Sequence, residues 1–164
     1  MKKIHLISYD GDMKIWEMTS PDAEGFTTKN FLRGRDLDVT LFEEGEKSSD
    51  ITSEYGILLT EKAGALSSMK IDPKETDGHK LDPGDMYLKG HVVVISTDGT
   101  KLETDWLWFH RKQGLITSTA PVKVTRSDSI TKGIGMEATA DLSAVTIFNQ
   151  TLIIKSTDTS NEEI

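Results

Sequence analysis

The side chains best suited to chemistry in this sequence are four histidines, a carboxylate-rich segment and two glutamate pairs. Segment 72–85 carries several carboxylates but lacks the Asp-x-Asx-x-Asx-Gly order of a calcium loop. Glu43-Glu44 lies in a polar turn and Glu162-Glu163 in a polar tail, which gives no support to a glycosidase pair. No metal-ligand spacing connects the histidines, which are His5, His79, His91 and His110. We therefore predict a protein that is not an enzyme and that uses neither a metal nor a cofactor.

The composition argues against several classes of partner and site. The net charge of −8 argues against nucleic acid, because binding phosphates requires a basic stripe. Cysteine is absent, which excludes disulfides and cysteine metal sites. No apolar run approaches the roughly 18–20 residues of a membrane-spanning helix. Because a strand pattern begins almost at once, at Ile4, we expect any membrane anchor or signal to lie upstream of the given residues.

A hairpin pattern recurs along the chain and predicts an all-β fold. Each unit has a β-rich arm, a polar turn and a second arm that leads into apolar residues. The four units begin at Ile4, Val39, Val92 and Val122. From this pattern alone, a curled two-sheet roll and an ordinary β-sandwich with a dry core fit equally well. We expect one domain over residues 1–155, interrupted by a mobile loop at 72–85 and followed by a flexible tail at 156–164.

An ordered series of motifs covers residues 88–141. It comprises Gly90-His91-Val92-Val93-Val94, Leu102-Glu103-Thr104-Asp105-Trp106-Leu107, Gly114-Leu115-Ile116-Thr117, Pro121-Val122 and Gly133-Ile134-Gly135-Met136-Glu137-Ala138. The series resembles the lipopolysaccharide transport (Lpt) proteins of Gram-negative bacteria, an OstA-like family shared by LptA and LptC. Within it, the turn at Tyr9–Asp12 followed by Trp16 is more similar to LptC, with Met18 and Ser20 replacing the leucine and alanine of that pattern.

The resemblance implies a β-jellyroll of two antiparallel sheets, slightly open along one side, that holds acyl chains between the sheets. Its function would be to receive lipopolysaccharide from an inner-membrane ABC transporter and pass it along a periplasmic bridge to the outer membrane. Apolar side chains at alternating strand positions would line the groove. The candidates are Trp16, Tyr55, Leu88, Val92, Val94, Trp106, Trp108, Ile116, Ile134, Met136 and Ile147.

The same resemblance implies that partners add strands at the two sheet edges. The transporter subunits LptF and LptG would meet the N-terminal edge, and an LptA-like bridge protein would meet the C-terminal edge. The edge candidates are Ile4, Leu6, Val145, Ile147, Leu152 and Ile153. We expect a periplasmic domain tethered to the inner membrane by an upstream helix. A soluble LptA-like bridge protein and a generic glycan-binding β-sandwich are the alternatives.

Overall fold

The computed structural model describes residues 2–26, 31–59, 76, 78, 81–82 and 84–154, and these residues form one antiparallel sheet. Consecutive strands are neighbours from β1 to β8, and β8 then pairs with both β9 and β10. Turns at residues 11–12, 44–45, 97–100 and 126–128 each separate two strands. The strands are β1 (Lys2–Asp10), β2 (Met13–Phe26), β3 (Phe31–Glu43), β4 (Glu46–Leu59), β5 (Met86–Ser96), β6 (Lys101–His110), β7 (Leu115–Thr125), β8 (Ser129–Thr139), β9 (Val145–Ile147) and β10 (Thr151–Ile154).

A transverse line of breaks in the strand ladder runs across the whole sheet, and we call this line the crease. Register shifts mark it between Thr52 and Tyr55, between Lys89 and Val92, and between Ser118 and Pro121. Backbone in the left-handed region accompanies the breaks, at Asp36, Gly90, His91, Gly135 and Asn149. Bulges of this kind bend strands locally. The bulges between β4 and β8, aligned with gaps in the β2–β3 pairing and in the last edge strand, therefore fold the sheet in half.

The fold creates two facing layers from one continuous sheet. The first leaf contains the strand halves next to the turns at 11–12, 44–45, 97–100 and 126–128. The second leaf contains the halves next to the turns at 111–114 and 140–144 and next to the 60–85 connection. Inward residues of both leaves belong to one hydrophobic core, which joins Val94 of the first leaf to Leu88 of the second. The jellyroll predicted from the resemblance is confirmed, and its two layers are halves of a single sheet.

The free margins of the two leaves meet on the side opposite the crease. Asp10, at the first-leaf turn between β1 and β2, lies 3.6 Å from the guanidinium of Arg111, at the second-leaf turn between β6 and β7. Glu43, at the end of β3, shares a side-chain hydrogen bond with Asp141, in the turn that follows β8. These two contacts connect four different turns across the seam between the leaves.

The final strand of the sheet is interrupted once. Both β9 and β10 pair with β8 in the same register, since Ile147 faces Met136 and Thr151 faces Lys132. Across the interruption, the Phe148 amide donates to the Gly135 carbonyl, and the Ile134 amide donates to the Phe148 carbonyl. The two pieces β9 and β10 therefore form a single edge strand that is broken at the crease.

A second hydrophobic cluster covers the outer face of the second leaf. It contains Ile57, Leu59 and Tyr87, together with Leu81 from the connection between β4 and β5. The Asp85 carboxylate accepts hydrogen bonds from the Trp108 indole and the Arg111 amide, each at 2.9 Å. The described part of the predicted loop at 72–85 thus packs against the sheet. The predicted tail at 156–164 lies outside the described residues.

Candidate functional site

An inward-facing row of side chains crosses the first leaf from one sheet edge to the other. Cross-strand partners share a face of the sheet, so the register fixes the membership of the row. In order from β1 to β10, it consists of Leu6, Met18, Val39, Ile51, Val94, Leu102, Val124, Thr131 and Leu152. We call it the floor row, and Thr131 is its one polar member.

Burial along the floor row changes toward the sheet edges. Val39, Ile51 and Val94 are fully buried, whereas Leu6 is only partly buried. At the opposite edge, Leu152 is 54% exposed, although it points to the same side as the core. The apolar interior therefore continues to both edges of the sheet and is uncovered at the β10 edge.

Seven of the predicted groove residues lie in the core between the leaves. Each is at most 8% exposed, and each belongs to the main cluster. They come from five strands, so the structure brings together residues that are distant in sequence. These seven are Trp16, Leu88, Val92, Val94, Ile116, Met136 and Ile147.

Four predicted groove residues lie elsewhere. Tyr55, Trp106 and Trp108 are on the outer face of the second leaf, since they pair with or adjoin Lys89 and Tyr87, which also point outward. Their neighbours Leu107 and Phe109 occupy the inward positions instead.

The structure therefore corrects the predicted orientation of β6. The sequence is apolar at every position from 106 to 109, and alternation alone cannot assign the faces of such a strand. The bulge between Thr104 and Trp108 also shifts the alternation in the middle of the strand. Ile134, the fourth displaced residue, sits beside the Gly135 bulge and is 56% exposed.

Several inward residues were missed in the first half of the chain. Their signal was available, because β2 to β4 alternate apolar and polar residues, as in Met18-Thr19 and Val39-Thr40. Prediction concentrated on residues 88–141, where the motifs lie. The missed members of the floor row and its surroundings in this half are Met18, Leu37, Val39, Leu41 and Ile51. Leu102, within the motif series, was missed as well.

The predicted edge residues divide between the two faces of the sheet. Ile4, Leu6 and Val145 are partly buried against the core, and Ile147 is buried in it. Leu152 points inward, whereas Ile153 pairs with Ile130 and points outward with 45% exposure. In the described sheet, β1 pairs only with β2 and β10 pairs only with β8, so each leaves one side of its backbone unpaired.

The margins of the leaves are charged. Partial desolvation raises the pKa of Glu43, and the adjacent Asp141 carboxylate raises it further. Hydrogen bonds from Ser143 lower the pKa of Asp141, so that Asp141 keeps its charge beside a more readily protonated Glu43. At the turn between β5 and β6, hydrogen bonds from Ser96 and Thr100 lower the pKa of Asp98 to about 2. A polar rim therefore surrounds the apolar interior.

Other site types find no support in the described residues. Across those ranges, no group of three or more His, Asp or Glu side chains could hold a metal ion. The same part of the chain has no helix long and apolar enough to cross a membrane. The described site is thus a folded sheet with an apolar interior, a charged seam and two unpaired edges.

Comparison with known proteins gives a family and a fold. Residues 80–154 match the family described as "Lipopolysaccharide-assembly, LptC-related". The fold is similar to that of LptH from Pseudomonas aeruginosa, the LptA homologous periplasmic component of its lipopolysaccharide transport device. The TM-score is 0.60 at 12% identity, over 86% of this chain and 95% of that chain. No curated protein sequence matches the chain significantly. Residues 80–154 are thus similar to the LptC-related family and the fold is that of an LptA homologue, in agreement with the resemblance seen in the motifs.

Proposed function

We propose that this chain is a non-enzymatic lipopolysaccharide carrier of the periplasmic bridge. The observation that carries the proposal is the floor row, which stays almost entirely apolar across the first leaf and emerges uncovered at Leu152. The similarity of residues 80–154 to the LptC-related family supports a role in lipopolysaccharide transport, and transport along a bridge requires no bond-making chemistry. The finer steps are that the chain accepts lipopolysaccharide from the ABC transporter and delivers it toward the outer membrane.

The geometry fits acyl chains better than a compact ligand. Burying each methylene contributes about 0.8 kcal/mol, so a carrier gains affinity from a long apolar surface. The core between the leaves is closed in this structure, since the gap that Met18, Leu37 and Met86 help to line has no room for a water molecule. Acyl chains would therefore enter by separating the leaves at their charged seam.

The two unpaired edges suit a chain of similar domains. An added strand at β1 or β10 would extend the sheet, and the floor row would continue into the partner. On this basis LptF and LptG are proposed at the Ile4–Leu6 edge, and an LptA-like protein at the Leu152–Ile153 edge. Residues 1–155 would form the single folded domain, in the periplasm and tethered to the inner membrane by an upstream helix. The soluble LptA-like role is the alternative, because the fold is shared with an LptA homologue.

Site-specific photo-crosslinking tests the carrier function. Leu152 and Ile153 are adjacent, both are about half exposed, and they point to opposite faces of the sheet. A photoreactive residue at position 152, expressed in cells that make lipopolysaccharide, should capture it, whereas the same residue at position 153 should not. Position 106 provides a second outward control. Equal capture at 152 and 153, or no capture at 152 and at the inward position 136 in a folded protein, would contradict the proposal.

A further inference from the structure

A second inward row lies between the floor row and the charged margin of the first leaf. Its members are Ser8, Trp16, Leu41, Ser49 and Ser96, which are successive cross-strand partners from β1 to β5. Each of the middle three lies two residues along its strand from a floor-row residue: Met18, Val39 and Ile51 respectively. We call it the boundary row, because it separates the apolar floor row from the ionised groups of the turns.

Two polar atoms of the boundary row are buried without a hydrogen-bond partner. Trp16 is 5% exposed and Ser49 is fully buried, yet neither the indole nitrogen nor the hydroxyl has a partner in the described structure. Buried polar groups are nearly always paired, because an unpaired one costs free energy in the folded state.

The other buried serines of β4 and β5 have hydrogen-bond partners. The Ser48 hydroxyl donates to the Leu41 carbonyl, and the Ser53 hydroxyl donates to the Tyr55 carbonyl at 3.2 Å. Ser96 is bonded to Asp98 and Thr100 within its own turn. The serines that neighbour Ser49 are therefore paired, whereas the buried side-chain atoms of Trp16 and Ser49 in the boundary row are not.

The order of polarity from margin to interior matches that of an acylated amphiphile. Ionised groups such as Glu43 and Asp98 come first, then the boundary row, then the floor row. In an acylated amphiphile, a charged headgroup is followed by ester or amide carbonyls and then by hydrocarbon. Carbonyls at the depth of the boundary row would accept one hydrogen bond from each unpaired group, since an indole N–H is a donor and a hydroxyl can donate.

We propose that Trp16 and Ser49 form a subsite for the carbonyl oxygens that link acyl chains to the headgroup. This assignment rests on the proposed carrier function and adds to it the group that fixes how deeply a lipid sits. The two residues are separated by one strand, β3, and are therefore about 9–10 Å apart along the hydrogen-bonding direction. They would hold the linkages of different acyl chains of one lipid.

The test compares two lipids that differ only in these carbonyls. Binding of didodecanoyl phosphatidylcholine, a diester, is measured by calorimetry against its didodecyl ether analogue. Wild-type protein should prefer the ester. Ser49→Ala should weaken ester binding by about fivefold, the effect of one hydrogen bond, and leave ether binding unchanged. Trp16→Phe should act in the same direction, and the double variant should bind both lipids equally.

Stability measurements separate a binding role from a structural one. Ser49→Ala removes an unpaired buried hydroxyl, so the lipid-free variant should melt at a higher temperature than wild type. Ser53→Ala is the matched control, because it removes a buried and satisfied hydroxyl from the same strand. It should lower the melting temperature and leave the ester preference intact.

The outcomes distinguish this subsite from the carrier function. Equal binding of ester and ether by wild type, or an ester preference that survives in the double variant, would overturn the subsite while leaving the carrier function standing. Failure of the wild type to bind either lipid, together with no capture of lipopolysaccharide at position 152, would overturn both.

Discussion

The two leaves of the sheet differ in how many of their faces are apolar. In the first leaf, the floor row is apolar except for Thr131 and the adjacent outward row is mixed, with Glu17, Thr40 and Asp50 beside one another. In the second leaf, Leu88 and Leu107 are buried inward, while Ile57 and Tyr87 are buried outward. The first leaf thus resembles one wall of a trough, whereas the second is covered on both sides. A leaf with one covered face has less holding it in place, so we infer that the first leaf moves when the seam opens.

The strongest test of this difference compares two isoleucines that both point outward. Ile57, in the second leaf, is 1% exposed, and Ile95, in the first leaf, is 45% exposed. Ile57→Ala should lower the free energy of unfolding by about 2–5 kcal/mol, because it leaves a cavity in a packed cluster. Ile95→Ala should change it by less than about 0.5 kcal/mol. Denaturant unfolding measures both, and similar losses would show that the leaves do not differ in outer packing.

The two leaves also differ in how the groove assignments compare with burial. In the first leaf, Val92 and Val94 were assigned to the groove and both are buried, although Val93 and Ile95 make this run apolar on both faces as well. In the second leaf, Trp106 and Trp108 were assigned to the groove because their strand is apolar on both faces. Their outward direction depends on a bulge and on packing with residues of β4 and β5, which are far away in sequence. Hairpins are local and were predictable, whereas the crease is a tertiary feature that no single hairpin reveals.

The second test concerns the crease that separates the leaves. A Cβ at Gly133 would lie 2.4 Å from both the Ile147 side chain and the Phe148 carbonyl oxygen. Gly133→Ala should therefore displace the last edge strand and cost about 1–3 kcal/mol, as overpacked sites do. Hydrogen exchange should accelerate at the Phe148 and Ile134 amides, which bond across this point.

Gly99→Ala is the control for the crease. Gly99 has a positive φ of 91°, but a Cβ there would meet nothing within 4 Å. Its substitution adds backbone strain without a clash, so exchange at Phe148 and Ile134 should not change. Faster exchange at these amides in both variants would mean that the crease is not held by close packing at Gly133.

The third test uses pH to probe the seam between the leaves. The pKa of Glu43 is raised by desolvation and by Asp141, so the folded state binds this proton more tightly than the unfolded chain does. The resulting stability is complete below the ordinary glutamate pKa of 4.5 and is lost as pH rises through the raised value. Glu43→Gln should flatten this part of the dependence of the melting temperature on pH. Glu103→Gln, on the outer face away from the seam, should leave the slope of melting temperature against pH unchanged. An unchanged slope in Glu43→Gln as well would contradict a contact between Glu43 and Asp141 across the seam.

The smallest effect is expected at the other contact across the seam. The Asp10 side chain is 74% exposed and lies 3.6 Å from Arg111, a geometry in which ion pairs contribute between about 0 and 1 kcal/mol. Asp10→Asn should therefore lower the free energy of unfolding only slightly, and added salt should reduce the difference because it screens exposed charges.

The same variant should nevertheless bind lipid faster, since a seam that must open is held by fewer contacts. Stopped-flow binding of lipopolysaccharide would show this, and an unchanged rate in both Asp10→Asn and Glu43→Gln would indicate that lipid enters at the uncovered β10 edge and not through the seam.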